Sequence, residues 1–180
     1  MARRVFFSFH YDRDIFRANQ VRHANVVVGP DLAGYFNHSE YEEAKRTGAE
    51  GIKRMILRHL DKTTVTVVLI GTYTASRPWV RYEMTESIKR KNGLLGIYIH
   101  QLWAPGDPPQ TLLARIAGIL PTKPLVPPLI GFPCYVWDAD VKRFAREIEA
   151  AGQRSDKLRQ PPPTAPPRFG PIFPPRRFSS

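Results

Sequence analysis

The chain has 180 residues, 42% of them hydrophobic, which is enough for one compact domain with a single core. No apolar run is long enough to span a bilayer, and charges interrupt the apolar stretch near the N-terminus too early for a signal peptide. The single cysteine, Cys134, excludes an internal disulfide and is typical of a reducing compartment. These features predict a cytoplasmic protein that does not insert into a membrane.

The formal net charge of +11 is unevenly distributed along the chain. Residues 1–152 carry 21 Lys and Arg against 15 Asp and Glu, whereas residues 153–180 carry 6 against 1. A basic surface is compatible with nucleic acid, an anionic membrane or a phosphate-bearing small molecule as a partner. A basic run such as 89–91 is more typical of a solvated helix face. We therefore expect neither nucleic acid nor a membrane as a partner.

Strand-like runs alternate with helical patterns along most of the chain. Five runs have the β-branched and aromatic composition of buried strands: 5–9, 26–28, 65–70, 94–99 and 134–137. Helices are predicted over 12–24, 49–60, 111–119 and 138–151, together with one that begins near Ser76. The polar and aromatic stretch 31–48 is predicted to be a loop.

This alternation predicts an α/β fold with a flavodoxin-like parallel sheet of five strands in the order 2-1-3-4-5, covered by helices on both faces. The domain is expected to occupy residues 1–152, with its last helix stopping at Gly152. Eight of the 18 prolines lie between 161 and 175, interleaved with Arg and Phe. Because such a composition cannot bury a core, residues 153–180 are predicted to be a disordered Pro/Arg-rich tail.

Ligands of open parallel sheets bind beyond the carboxyl ends of the strands, where the strand order reverses. In the predicted order that crevice lies between the first and third strands. The residues expected there are Phe7, Ser8, Phe9, His10, Gly71 and Thr72. The helix after the third strand begins beside the crevice, with Ser76 predicted as its N-cap and Pro78 in its first turn, and it carries Glu83.

The helical spacing separates two rows of side chains on this helix. Val80, Met84 and Ile88 recur every four residues and are expected to face the sheet. Trp79 and Glu83 each precede one of them, so they form a neighbouring, half-buried row whose upper end points at the crevice.

Two interpretations of Glu83 follow from this placement. A carboxylate beside an indole is poorly solvated and acquires a raised pKa, as catalytic carboxylates do. Alternatively, Glu83 is a boundary residue that bonds to the backbone or pairs with Arg81, Arg13 or Lys45. Spacing alone favours the second interpretation.

Three segments resemble a known family. RVFFSFHYDRD at 4–14, TVTVVLIGTYT at 64–74 and WVRYEMTESI at 79–88 together resemble the TIR-like proteins of bacterial Thoeris antiphage systems, and more distantly TIR domains in general. The pattern is a first strand that ends in an aromatic–Ser–aromatic segment, Phe7-Ser8-Phe9 here, and a Ser…Trp…Glu signature after the third strand. Ser76, Trp79 and Glu83 supply that signature here.

The resemblance implies an activity and a set of site residues. Glu83 corresponds to the residue on which NAD cleavage depends in catalytic members, with Phe7, Ser8 and Phe9 beside it. The variable loop that shapes the family's pocket corresponds to residues 31–45, and its candidate substrate contacts are Tyr35, Phe36, Glu43 and Lys45. The implied product is a cyclic ADP-ribose-type nucleotide, made after a phage-derived trigger, which activates a partner effector. The resemblance leaves a homo-oligomer open.

This chemistry needs few groups, because NAD is the substrate and no cofactor is required. Nicotinamide is cationic in NAD and departs as a neutral molecule, so one carboxylate suffices where glycosidases commonly use two. Aromatic walls and cations such as Arg13, Lys45 and Arg81 would orient the rest of the dinucleotide. The spacing of His and Cys predicts no metal site.

Two other functions on the same fold were weighed. A non-catalytic TIR-like interaction or scaffold module is the alternative to the enzyme, and the Pro/Arg-rich tail would suit that role. A phosphorylated receiver domain is disfavoured, because the third strand ends in Gly71-Thr72 and not in an aspartate.

Overall fold

The computed structural model describes residues 3–25, 38–107 and 131–161. Its four strands are β1 (Val5–Ser8), β2 (Val65–Ile70), β3 (Gly93–Tyr98) and β4 (Cys134–Val136). Its five helices are α1 (Tyr11–Asn25), α2 (His38–Arg46), α3 (Gly48–Leu60), α4 (Pro78–Lys89) and α5 (Val141–Arg159). A short 3₁₀ helix, Thr74–Ser76, precedes α4. None of the helices in these ranges has the length and apolar character needed to cross a bilayer.

The described strands form one parallel sheet in the order β1-β2-β3-β4. The predicted α/β class and parallel pairing are confirmed, but the sheet has four strands in this order and not five in the order 2-1-3-4-5. The predicted strand 26–28 and the predicted helix 111–119 lie outside the described residues. Without a strand on the far side of β1, the described sheet has no reversal of strand order between β1 and β2.

Helices cover both faces of the sheet, as predicted, because successive strand residues alternate between the faces. On β1, Phe7 packs with the cluster that includes Phe144 of α5, whereas Phe6 packs with Ile56 and Leu60 of α3. All six residues of β2 are buried. A sheet buried on both faces requires such a continuous apolar run, which is why the sequence identified β2 correctly.

The stretch 31–48 was wrongly predicted to be a loop throughout, since α2 occupies its second half. The helix packs against α3, and Ala44 joins the buried cluster around Ile56. Its sequence HSEYEEAKR has too few apolar residues to show a helical period, so tertiary packing stabilises the helix.

The predicted stop at Gly152 is also wrong, because α5 continues to Arg159. Arg3 crosses over Gly152 so closely that a Cβ there would lie 2.3 Å from its Nε, and its guanidinium pairs with Glu149 and Asp156 on either side. Glycine in a helix costs about 1 kcal/mol relative to alanine, which these contacts offset. The rest of the predicted tail, from residue 162, lies outside the described residues.

Candidate active site

Glu83 lies inside the fold, where α4 passes the carboxyl end of β1. Val80 and Met84 of α4 pack on Val68 and Ile70 of β2, which confirms the predicted sheet-facing row. Glu83 is therefore turned towards the neighbouring strand, and only 4% of its surface is exposed. The row is buried more deeply at Glu83 than the half-buried position that helical spacing predicted.

The start of α4 differs from the prediction at its N-cap. The N-cap is Arg77, not Ser76, and Pro78 occupies the first turn. Ser76 ends the preceding 3₁₀ helix, where its hydroxyl donates to the Tyr73 carbonyl oxygen at 2.9 Å.

Within the described residues, the carboxyl group of Glu83 has one side-chain partner, the hydroxyl of Ser8. Ser8 Oγ donates to Glu83 Oε2 at 2.5 Å, and Ser8 itself is completely buried. Ser8 is the last residue of β1, and strand alternation places its side chain on the face that α4 covers. Two residues 75 positions apart in the chain thus form the centre of the site.

Burial raises the pKa of Glu83 to about 8, and the hydrogen bond from Ser8 opposes this shift only in part. No ion pair of Glu83 occurs within the described ranges. In particular, the exposed Arg81 donates to the Ala75 carbonyl oxygen, and Lys45 lies 3.7 Å from Glu42. The ion-paired interpretation of Glu83 is therefore wrong for the described residues: the group is buried without an ion-pair partner among them, and its raised pKa favours the protonated form at neutral pH.

Glu83 lines a cavity of about 150 Å³ between α4, α3 and the start of α1. One wall is a stack of three aromatic rings: Tyr11 lies between Phe9, at 5.9 Å between centroids, and Tyr41, at 4.2 Å. Trp79 also lines the cavity and packs edge-on against Tyr82 at 6.0 Å. The cavity is thus a mainly aromatic and aliphatic chamber whose lining includes two acidic residues, Glu83 and Asp12.

His10 and Arg77 add polar groups to the same cavity. His10 is 7% exposed, and burial together with the positive charge of Arg77 lowers the pKa of its imidazole. The ring is therefore neutral at neutral pH, unless an anion binds nearby. In the described part of the chain no three His, Cys, Asp or Glu side chains gather closely enough to hold a metal ion.

The structure brings Ser8, Phe9, His10, Trp79 and Glu83 together at this cavity. The other predicted site residues lie elsewhere or outside the described ranges. Phe7 lies in the hydrophobic core against Phe144, Gly71 packs against Asp14 beside a separate groove, and Thr72 lines that groove. Glu43 and Lys45 lie on the exposed face of α2. Tyr35 and Phe36 fall outside the described ranges.

Strand geometry explains why Phe7, Gly71 and Thr72 do not line the Glu83 cavity. Phe7 alternates with Ser8, so it has to point to the opposite face of the sheet. Gly71 and Thr72 follow β2, but the first turn of α1 stands between them and Glu83: Asp12 lines both the Glu83 cavity and the separate groove. The crevice expected between the ends of the first and third predicted strands is therefore divided in two.

The sequence reasoning missed several cavity residues, among them Tyr11, Tyr41 and Arg77. Tyr11 directly follows His10, so its place after β1 was a usable signal. Arg77 precedes Pro78 at the start of the signature helix, which is also a readable position. Tyr41 had no local signal, because only the packing of α2 brings it to Tyr11.

Comparison with known proteins identifies the family of the chain. A relative from Bacillus cereus (strain MSX-D12), named "Putative cyclic ADP-D-ribose synthase ThsB1", is 48% identical over 102 residues, which are 56% of this chain and 53% of the relative. The chain thus matches about half the length of that curated relative. The family model described as Thoeris protein ThsB, TIR-like domain, matches residues 6–103, which include most of β1, all of α4 and every residue of the Glu83 cavity. The chain belongs to the family of the Thoeris protein ThsB TIR-like domain.

Proposed function

We propose that this protein cleaves NAD at its nicotinamide–ribose bond and joins the ADP-ribose into a cyclic signal nucleotide, with Glu83 as the catalytic residue. The observation that carries the proposal is a buried carboxyl group with no compensating cation, in a cavity with aromatic walls. The name of the Bacillus cereus relative supports the reaction class. In antiphage defence the nucleotide would activate a partner effector after a phage-derived trigger.

The way in which the glycosidic bond breaks explains why one catalytic carboxylate is sufficient. When the glycosidic bond breaks, its electron pair goes to the ring nitrogen of the pyridinium, and nicotinamide leaves as a neutral molecule. The ribose carbon becomes oxocarbenium-like and needs a negative group nearby. Ionised Glu83 would stabilise that charge through the ribose hydroxyls or at the carbon itself, and the low local polarity would strengthen the interaction.

Because the pKa of Glu83 is raised, substrate binding would be coupled to release of its proton. The empty site holds the carboxyl group protonated below about pH 8. The cationic nicotinamide ring favours the ionised form, so binding of NAD would release the proton of Glu83. Overall, NAD gives nicotinamide, a proton and either a cyclic nucleotide or, with water, linear ADP-ribose.

The size of the cavity indicates which end of NAD it accepts. Pockets that enclose a drug-sized ligand have volumes of about 300 to 1,000 Å³. The cavity of about 150 Å³ has room for the nicotinamide ring and part of its ribose, so the remainder of NAD would extend outwards. The aromatic stack of Phe9, Tyr11 and Tyr41 offers a flat surface to the ring and excludes water, which favours attack by a group of the same ADP-ribose.

The decisive experiment compares the wild-type protein with Glu83→Gln in an NAD assay that follows nicotinamide release and product mass. Wild-type protein is expected to release nicotinamide and a product one water lighter than ADP-ribose, and Glu83→Gln to lose at least about a hundredfold in rate. The matched control is Glu86→Gln, since Glu86 is almost as buried on the same helix but pairs with Lys89 and Arg90. Its rate is expected to stay near that of the wild type.

Two results would contradict the proposal. Turnover that survives in Glu83→Gln would remove Glu83 from the mechanism. Absence of turnover in the wild type, both in purified protein and in extracts of phage-infected cells that supply the trigger, would leave the non-catalytic interaction module. Release of unmodified ADP-ribose alone would retain the NAD hydrolase and reject the cyclase.

A further inference from the structure

Arg77 is a cation that lines the Glu83 cavity, and its Nε has no hydrogen-bond partner among the described residues. Its Nε is buried and makes no hydrogen bond in the structure, and no ion pair of Arg77 occurs within the described ranges. By contrast, Arg81, one turn further along, satisfies its guanidinium on the Ala75 carbonyl oxygen. A buried guanidinium nitrogen without an acceptor is costly, so such an arrangement is typical of a group that meets its partner in a ligand.

The first turn of α4 offers further donors beside Arg77. Arg81 is the first residue whose N–H bonds to Arg77, and Pro78 has no N–H, so the N–H groups of Trp79 and Val80 have no acceptor inside the helix. Arg77 itself is the N-cap and makes no side-chain capping bond. The positive end of the helix dipole adds to the charge of the guanidinium, and both attract an anion.

His10 is an independent sign of a missing ligand at the same place. It is more than nine-tenths buried and lines the cavity, and its Nδ1 has no hydrogen-bond partner in the structure. Asp12 lies 3.8 Å from its Nε2, but that carboxylate is mostly exposed. Arg77 acts on the imidazole more strongly than Asp12 does, so the net field at His10 is positive. A neutral imidazole there can still donate one N–H to an anion.

We propose that Arg77, the first-turn N–H groups of α4 and His10 together bind the pyrophosphate of the dinucleotide. This inference rests on the proposed function and assigns a substrate-binding role to Arg77. Glu83 lies five residues beyond Pro78, which is roughly 7.5 Å along the helix axis. In NAD one methylene group joins the nicotinamide ribose to its phosphate, so a ribose at Glu83 places that phosphate near the start of the helix.

The subsite would fix the direction in which NAD enters. With the pyrophosphate at Arg77, the nicotinamide end lies in the aromatic cavity and the adenosine end lies outside it. Arginine suits this role better than lysine, because its planar fork donates two parallel bonds to phosphate oxygens. None of the cations expected from the sequence, Arg13, Lys45 and Arg81, lines the cavity.

The test measures binding of ADP-ribose and of adenosine to the full chain by calorimetry, which needs no turnover. Arg77→Gln is expected to weaken ADP-ribose binding by about tenfold to a hundredfold, the effect of one hydrogen-bonded charge contact, and to leave the affinity for adenosine unchanged. Arg81→Gln is the matched control and should bind both ligands like the wild type. Arg77→Lys keeps the charge without the fork, so its affinity for ADP-ribose should be intermediate.

The outcomes separate this inference from the proposed function. A selective loss in Arg77→Gln supports the pyrophosphate subsite even if no variant cleaves NAD. Equal ADP-ribose affinity in Arg77→Gln and wild type, or no binding by the wild type, overturns it even if NAD is cleaved. In an active enzyme the KM for NAD should rise in Arg77→Gln while kcat stays within about threefold, as expected when uniform binding is lost.

Discussion

Two carboxyl groups lie equally deep in this molecule, on opposite sides of the first turn of α1. Asp14 is 3% exposed and Glu83 is 4% exposed, and burial raises the pKa of both. Asp14 belongs to the groove of about 490 Å³ that Thr72 and Asp107 also line, whereas Glu83 belongs to the smaller aromatic cavity.

The surroundings of the two groups differ in charge. Arg17 donates to Asp14 at 3.1 Å, to Asp107 at 2.5 Å and to the Leu102 carbonyl oxygen at 2.8 Å, and this positive charge opposes the effect of burial on Asp14. Gly71 packs directly over the Asp14 carboxylate, where a Cβ would lie 2.3 Å from Oδ2. Glu83 has the neutral hydroxyl of Ser8 instead.

The comparison shows that burial alone does not distinguish a structural carboxylate from a reactive one. Asp14 is compensated by Arg17, and Arg17 links α1 to the segment after β3 through Asp107. Glu83 lacks such a cation within the described residues and becomes fully ionised at neutral pH only when a positive group arrives from outside. We therefore propose a structural role for the Asp14 groove and a chemical role for the Glu83 cavity.

The largest stability effect is expected from removing the compensating cation. Arg17→Met leaves Asp14 and Asp107 without their partner in a mostly buried site and is expected to lower the free energy of unfolding by about 3 to 5 kcal/mol. Urea denaturation measures this change. Lys53→Met, which removes the exposed pair with Glu50, should change the same quantity far less, because solvent screens an exposed pair. A similar small effect for Arg17→Met would show that compensation does not distinguish the two sites.

A smaller effect of opposite sign is expected at Glu83. The folded protein holds the proton of Glu83 up to about pH 8, whereas an unfolded chain loses it near the ordinary value of 4.5. Between these values the unfolded state binds fewer protons, so stability falls as pH rises. Glu83→Gln has no such proton. Its free energy of unfolding relative to that of the wild type should therefore rise by up to about 3 kcal/mol between pH 5 and pH 8.

Denaturation at several pH values gives this difference directly. Glu86→Gln is the control, because Lys89 and Arg90 lower the pKa of Glu86 and the group is already ionised in both states across this range. Its stability relative to wild type should stay constant from pH 5 to pH 8. The same constancy in Glu83→Gln would mean that the carboxyl group is ionised in the folded protein.

The smallest effect concerns the hydrogen bond of Ser8. Because that bond favours ionised Glu83, Ser8→Ala should raise the pKa of Glu83 further. Carbon-detected NMR titration of the carboxyl group measures the shift, and the pH midpoint of kcat/KM should rise with it. Ser87→Ala removes another buried hydroxyl, one that donates to the backbone carbonyl of Glu83, and should leave the pKa unchanged. Equal shifts in both variants would assign the effect to packing.

Local pattern determined much of the fold. Apolar runs identified β1 to β4, because a strand buried on both faces needs consecutive apolar residues, and helical spacing identified the face that Val80 and Met84 turn to the sheet. The motifs of the resembling segments also singled out Glu83 and the Phe7-Ser8-Phe9 segment as candidate site residues. These properties depend on residues within a few positions of one another, which a sequence displays directly.

The charge balance of each site was decided only by the tertiary structure. Arg17 meets Asp107 from 90 positions away, and Ser8 meets Glu83 from 75 positions away. Spacing showed that Arg81, Arg13 and Lys45 were available to Glu83, but folding directs them to Ala75, Tyr73 and Glu42. The pKa of a buried group depends on every charge packed around it, and the chain crossings that assemble those charges leave no periodic trace in the sequence. The sequence alone therefore located the carboxylate, while the fold determined that it is uncompensated.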